Sequence, residues 1–169
     1  MSSVKYIGNE KYPTLVNVQG GVTVEVGDFL FLDSSINLRN NGDSTASMYA
    51  YPIEYFRPAT EIDVKRVQVV AYFIGVAISD KYGQTGANNK NVTVATEGVF
   101  EFPLKPGRTV YPGDYASAAG TTAASDLFNQ YVRRTTDVSY ALGVFVERKI
   151  SAARAYVSIN SILNPNKLF

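Results

Sequence analysis

The strictest constraint in this 169-residue chain is a recurring alternation of apolar residues with a period of two. Val22, Val24 and Val26 alternate with Thr23 and Glu25. Val92 and Val94 share a parity with Phe100, Phe102 and Leu104, while Glu97 and Glu101 take the other. Tyr140, Leu142, Val144 and Val146 form a third set, and Ala155, Val157 and Ile159 a fourth. Successive side chains of a strand point to opposite faces, so each set predicts a strand with one buried face. Residues 67–78 are apolar at both parities. They read as a central strand buried on both sides, with Gly75 marking a bulge.

Turn signals separate these blocks. Gly20-Gly21, Gly27-Asp28, Asn40-Asn41-Gly42-Asp43, Pro106-Gly107 and Pro112-Gly113-Asp114 combine residues that favour turn dihedrals. Asn41-Gly42 is the best short hairpin signal. Residues 81–91 are polar, carry Gly83 and Gly86, and read as an exposed loop. Pro103 ends its strand or lies at a sheet edge, because it cannot donate to the ladder. A helix is suggested only over residues 125–134, where Asp126 is a candidate cap with Leu127, Phe128 and Tyr131 on one face. Short strands with frequent turns predict an all-β fold, a single β-sandwich or small β-barrel of jelly-roll or β-tulip type. The expected organisation is an N-terminal arm over residues 1–19, a β domain over 20–163 with a long aromatic-rich insert at 34–63, and a tail over 164–169.

A pseudo-repeat runs through the pattern. Thr23-Val24-Glu25-Val26-Gly27-Asp28-Phe29 matches Thr109-Val110-Tyr111-Pro112-Gly113-Asp114-Tyr115. Each is followed later by a Gly-centred strand, Ile74-Gly75-Val76-Ala77 and then Leu142-Gly143-Val144-Phe145. The physical reading is two related β-units whose halves close on one another.

The chain has no Cys and no His. That removes disulfides, thiolate nucleophiles, Cys-based zinc sites and any Ser-His-Asp triad. No phosphate loop and no nucleophile elbow occurs. No catalytic residue, cofactor or metal is therefore expected, although oxygen-ligand sites stay chemically open. The N-terminus shows no apolar signal segment, and no stretch approaches 18 apolar residues, so neither secretion nor a membrane partner is expected. The net charge of +1 hides an asymmetry. Residues 1–63 carry 4 basic and 8 acidic side chains, and residues 64–169 carry 12 and 7. The basic pairs are dispersed, which argues against a nucleic-acid groove and admits head-to-tail self-association.

Three stretches carry a family resemblance: Gly75-Val76-Ala77-Ile78-Ser79-Asp80, then Val92-Thr93-Val94-Ala95-Thr96-Glu97-Gly98-Val99-Phe100-Glu101-Phe102, then Gly113-Asp114-Tyr115 with Leu142-Gly143-Val144-Phe145-Val146-Glu147. Together with the terminal strand Val157-Ser158-Ile159-Asn160, they resemble the capsid cement, or decoration, proteins of tailed bacteriophages. The resemblance covers roughly residues 20–162 and departs from the family in the insert after Asp33 and at residues 125–134. It implies a structural, non-enzymatic protein that binds the outer face of an icosahedral head and stabilises contacts between major capsid protein subunits. It also implies a homo-oligomer, a trimer in preference to a dimer, made in host cytoplasm and located on the virion.

The candidate contact residues fall in two places. The segment containing Met48, Tyr49, Tyr51, Tyr55, Phe56 and Arg57 lies around Pro52 and ahead of Pro58, and Tyr, Met and Arg are enriched at interface cores. Its alternative is that Tyr51 and Phe56 belong to the chain's own core. The N-terminal arm, with Tyr6 and Tyr12, is the second place. Gly27, Asp28, Gly113 and Asp114 read as turn scaffold in preference to a carboxylate pair. A rival function is a head fibre or host-attachment module that binds glycans through exposed Tyr faces and the 81–91 loop. A hydrolase would need two carboxylates converging in a cleft, and no spacing predicts one.

Overall fold

The computed structural model describes residues 4–33, 49–56, 61–79, 90–120 and 126–161. Nine strands are formed among them: β1 (Lys5–Val18), β2 (Phe29–Asp33), β3 (Tyr49–Pro52), β4 (Phe73–Ala77), β5 (Lys90–Pro103), β6 (Tyr115–Gly120), β7 (Leu127–Thr135), β8 (Gly143–Phe145) and β9 (Arg154–Asn160). One α-helix, α1 (Ile62–Tyr72), precedes β4. Single helical turns stand at Ile53–Tyr55 and Val138–Tyr140.

The strand order is β1-β3-β2-β4-β5-β9-β8-β6-β7, and β1 also pairs with β5. That extra pairing closes β1, β3, β2, β4 and β5 into a five-stranded barrel. Closure removes the open edges that a sheet would otherwise present. The remaining strands make a second ring on the same β5. Its order is β5-β9-β8-β6-β7, and a parallel bridge from Leu104, just past β5, to Val132 of β7 joins its ends. The fold is thus all-β, with a closed barrel and a second ring sharing strand β5.

The pseudo-repeat is present in three dimensions. The parallel contact Val18–Ala50 in the barrel has its counterpart in Leu104–Val132 in the second ring. Gly27 N donates to Ala77 O at 2.8 Å and Ala77 N to Asp28 O at 2.9 Å. Gly113 N donates to Phe145 O, and Phe145 N to Asp114 O, both at 2.8 Å. The two Gly-centred strands also agree. A Cβ on Gly75 would overlap the Ala95 carbonyl, and one on Gly143 would overlap the Ser158 carbonyl. Each glycine lets its strand press against the neighbouring strand, β5 for Gly75 and β9 for Gly143. The units close each on itself, sharing β5, instead of closing on one another.

The core is one apolar cluster spanning both rings. Phe29 stacks on Phe102 at 4.7 Å between centroids, and Phe31 meets Phe56 edge-on at 5.1 Å. Aromatic pairs at such distances add to the burial of their area.

The helix is not where the sequence reading put it. Residues 127–135 form β7, paired with β6 from Tyr115↔Thr135 to Gly120↔Leu127. The exposed Phe128, Tyr131 and Arg134 recur every third residue, which imitates a helical face, but backbone pairing with β6 decides the outcome. The central strand expected over 67–78 begins only at Phe73, and the residues before it belong to α1. The inward face of α1 is Ile62, Lys65, Arg66 and Val69, so two buried charges break the apolar helical period that would have revealed it. Residues 5–18, expected as an arm, form β1 and run antiparallel to β5. Asn41-Gly42, most of the 81–91 loop and the 164–169 tail lie outside the described residues.

Candidate functional site

The two Gly-Asp turns are built alike from local chemistry. Gly27 and Gly113 take φ of 97° and 89°, the left-handed region that glycine enters at no steric cost. The following aspartate folds back on the turn. Asp28 Oδ2 accepts from Glu25 N, and Asp114 Oδ2 from Tyr111 N, both at 2.9 Å. Beyond that the two differ. Asp28 is buried, and its Oδ1 accepts from Gln130 Nε2 at 2.8 Å. Asp114 is met by Arg134, whose Nε lies 2.6 Å from Oδ2. Burial raises the Asp28 pKa to about 6, with the Glu25 and Glu54 charges adding repulsion and the hydrogen bonds from Glu25 N and Gln130 working against it.

The expected aromatic contact segment is divided by the fold. Tyr51 and Phe56 are buried in the chain's own core, the alternative weighed above. The Tyr51 hydroxyl donates to Gln19 Oε1 at 2.7 Å. Tyr49 and Tyr55 are half-buried and pack against the same core. Met48 and Arg57 lie outside the described residues. Tyr6 and Tyr12 are on β1, with Tyr6 opposite Phe100.

Other surfaces carry the exposed apolar groups. Phe128 and Tyr131 on β7 are exposed, with ring centroids 5.4 Å apart. Tyr111 is exposed with the Arg134 and Arg148 guanidinium carbons 6.0 and 5.7 Å from its ring centroid. Helix α1 is inverted: Lys65 and Arg66 are 3% and 4% exposed, whereas Val64 and Val67 face outward. Lys65 Nζ meets Asp126 at 3.3 Å, and Arg66 Nε donates to Ala118 O at 3.1 Å. Sequence reading missed the β7 pair because it assigned those residues to a helix. The Tyr111 cluster had a signal in the repeat, since Tyr111 occupies the position of Glu25.

Among the described residues, no group of three or more carboxylates stands together in a way that would hold a metal ion. No helix among them is long and apolar enough to cross a membrane. The arrangement presents shape, aromatic surface and charge.

Comparison with known proteins adds the identity. No curated protein matches the chain. The family model described as phage cement protein matches residues 47–159. That span runs from β3 to β9 and takes in strands of both rings. The match covers more than half of the chain, and the all-β architecture agrees with the expectation drawn from the resemblance. The chain therefore belongs to the phage cement proteins, structural components of the bacteriophage capsid.

Proposed function

We propose that this capsid cement protein binds the outer surface of an icosahedral phage head and bridges neighbouring major capsid protein subunits. The family match over residues 47–159 is the observation that carries this reading. Two rings sharing a strand form a body suited to spanning a boundary between subunits. Each bridge adds buried interface and so raises the free energy needed to separate the capsomers. Several weak contacts on one rigid body act together, and avidity exceeds the affinity of any single contact. Synthesis in the host cytoplasm and self-association into a trimer or a dimer belong to the same reading. So does contact through β1, which carries Tyr6 and Tyr12, and through Met48, Tyr49, Tyr55 and Arg57 of the aromatic segment, whose Tyr51 and Phe56 belong to the core.

The test mixes purified protein with expanded heads lacking it. Saturable, stoichiometric binding and a higher temperature of head disruption are expected. Heads that neither take up the protein nor gain heat resistance overturn the proposal.

A further inference from the structure

The two matched Gly-Asp turns present opposite chemistry to solvent. In the barrel the turn opens on Glu25, and its aspartate meets the neutral Gln130. In the second ring it opens on Tyr111, and Asp114 meets Arg134 through two contacts, Nε to Oδ2 at 2.6 Å and Nη2 to Oδ1 at 3.2 Å. That pairing fixes Arg134 with its guanidinium carbon 6.0 Å from the centre of the Tyr111 ring. The Tyr111 backbone is held as well, because its N donates to Asp114 Oδ2 and its O accepts from Asp114 N at 3.1 Å. The antiparallel bridge between Val110 and Lys149 sets Arg148 across from Tyr111, 5.7 Å from the ring centre. An exposed aromatic ring is thus held by the turn beneath it and by the chain beside it.

The charges around this ring are not all compensated. Arg134 and Lys149 have carboxylate partners, Asp114 and Glu147. Among the described residues, Arg148 has none, and neither has Arg108. Both are exposed. Arg108 lies two residues before Val110, at most about 7 Å away along the chain. Ile150, the residue after the bridge, is 62% exposed.

We infer that this surface of the second ring takes an acidic segment of the major capsid protein, with two carboxylates on Arg108 and Arg148 and an apolar side chain against Tyr111 and Ile150. Charge complementarity is the reason. A guanidinium offers paired donors that match a carboxylate, and it stays charged at any working pH. Tyr and Arg are the residue types that carry most of the energy at interface centres. The ring is already immobilised by Asp114 and Arg134, so docking on it loses little further freedom. Two uncompensated cations are too few for a nucleic acid, whose binding rests on many phosphate contacts. The inference rests on the capsid reading above and adds the face and the partner chemistry which that reading leaves open.

The test titrates the natural protein and its variants onto expanded heads that lack it, at low and high salt. Arg108→Glu combined with Arg148→Glu should weaken head binding ~30-fold, and Tyr111→Ala by a similar factor. Binding of the natural protein should weaken as salt is added, and Arg108→Gln combined with Arg148→Gln should remove most of that dependence. All three side chains are exposed, and a circular dichroism melt checks that each variant folds. The salt response of the natural protein needs no variant.

Heads that bind the natural protein and the variants equally, or bind the natural protein equally at both salt concentrations, overturn the inference and leave the capsid reading standing. A natural protein that binds no heads removes both. Charge reversals that change only the mass of the free protein by sedimentation assign the surface to a second copy of the chain. Reversals that change only retention on dextran sulfate assign it to an anionic glycan. Either of these last results overturns the inference as well.

Discussion

Asp28 and Asp114 show how one residue type at matched positions acquires two characters. Both accept the same backbone hydrogen bond, which the Gly-Asp dipeptide already implies. Their second partners come from β7, Gln130 for one and Arg134 for the other, and residue spacing does not reveal them. The buried Asp28 has a folded pKa of about 6, above its ordinary value of 3.8. The folded chain therefore takes up a proton as the pH falls through 6, and stability rises between neutral pH and about 4. That contribution is lost again as the pH rises through 6. The shift of about two units corresponds to ~3 kcal/mol at most. Asp137, whose pKa is lowered by hydrogen bonds from Ser139, acts in the opposite sense and only below that window. Asp28→Asn should flatten the dependence between pH 7.5 and 4.5 by about 2 kcal/mol. Urea unfolding of both proteins at the two pH values checks this, and superimposable profiles would refute the assignment.

At the scale of elements, α1 is the part that residue patterns concealed and tertiary contacts explain. It follows β3 in the first unit, yet it reaches β6 in the second through the bond from Arg66 to Ala118 O. Gly120 on β6 leaves room for the Ile62 side chain, which a Cβ there would overlap. Arg66 also pairs with Asp63 one turn earlier in the helix. Removing a buried, hydrogen-bonded charge together with its packing stem costs ~3 kcal/mol. Arg66→Ala should lower stability by about that amount, and hydrogen exchange should quicken in α1 and β6 before other elements. Unchanged protection in β6 would mean that α1 does not bolt the two units together. The strands over residues 90–103 and 154–160 were readable because alternation is a local property of the chain, whereas residues 22–26 alternate without forming a strand and β8 buries Phe145 instead of Val144 and Val146. The helix was not, because its inward face carries two cations that only their partners make compatible with burial.

For the whole molecule, the shared strand β5 makes one folding unit of two rings. It pairs with β1 and β4 in the barrel and with β9 in the second ring. Loss of packing on one side should therefore be felt on the other. Phe145→Ala, deep in the second ring, should cost about 3–5 kcal/mol. Hydrogen exchange should report reduced protection in β2 and β4 as well as in β6 and β8. Protection lost only in β6 and β8 would show two independent domains. The amino-acid order alone established the alternation over residues 92–104 and 155–159 and the duplicated Gly-Asp turns, since each depends on neighbours in the chain. It also excluded His and Cys chemistry outright. Ring closure, the shared strand and the helix with buried cations depend on residues many positions apart. Pairing and burial between such residues are properties of the folded chain, and local periodicity carries no record of them.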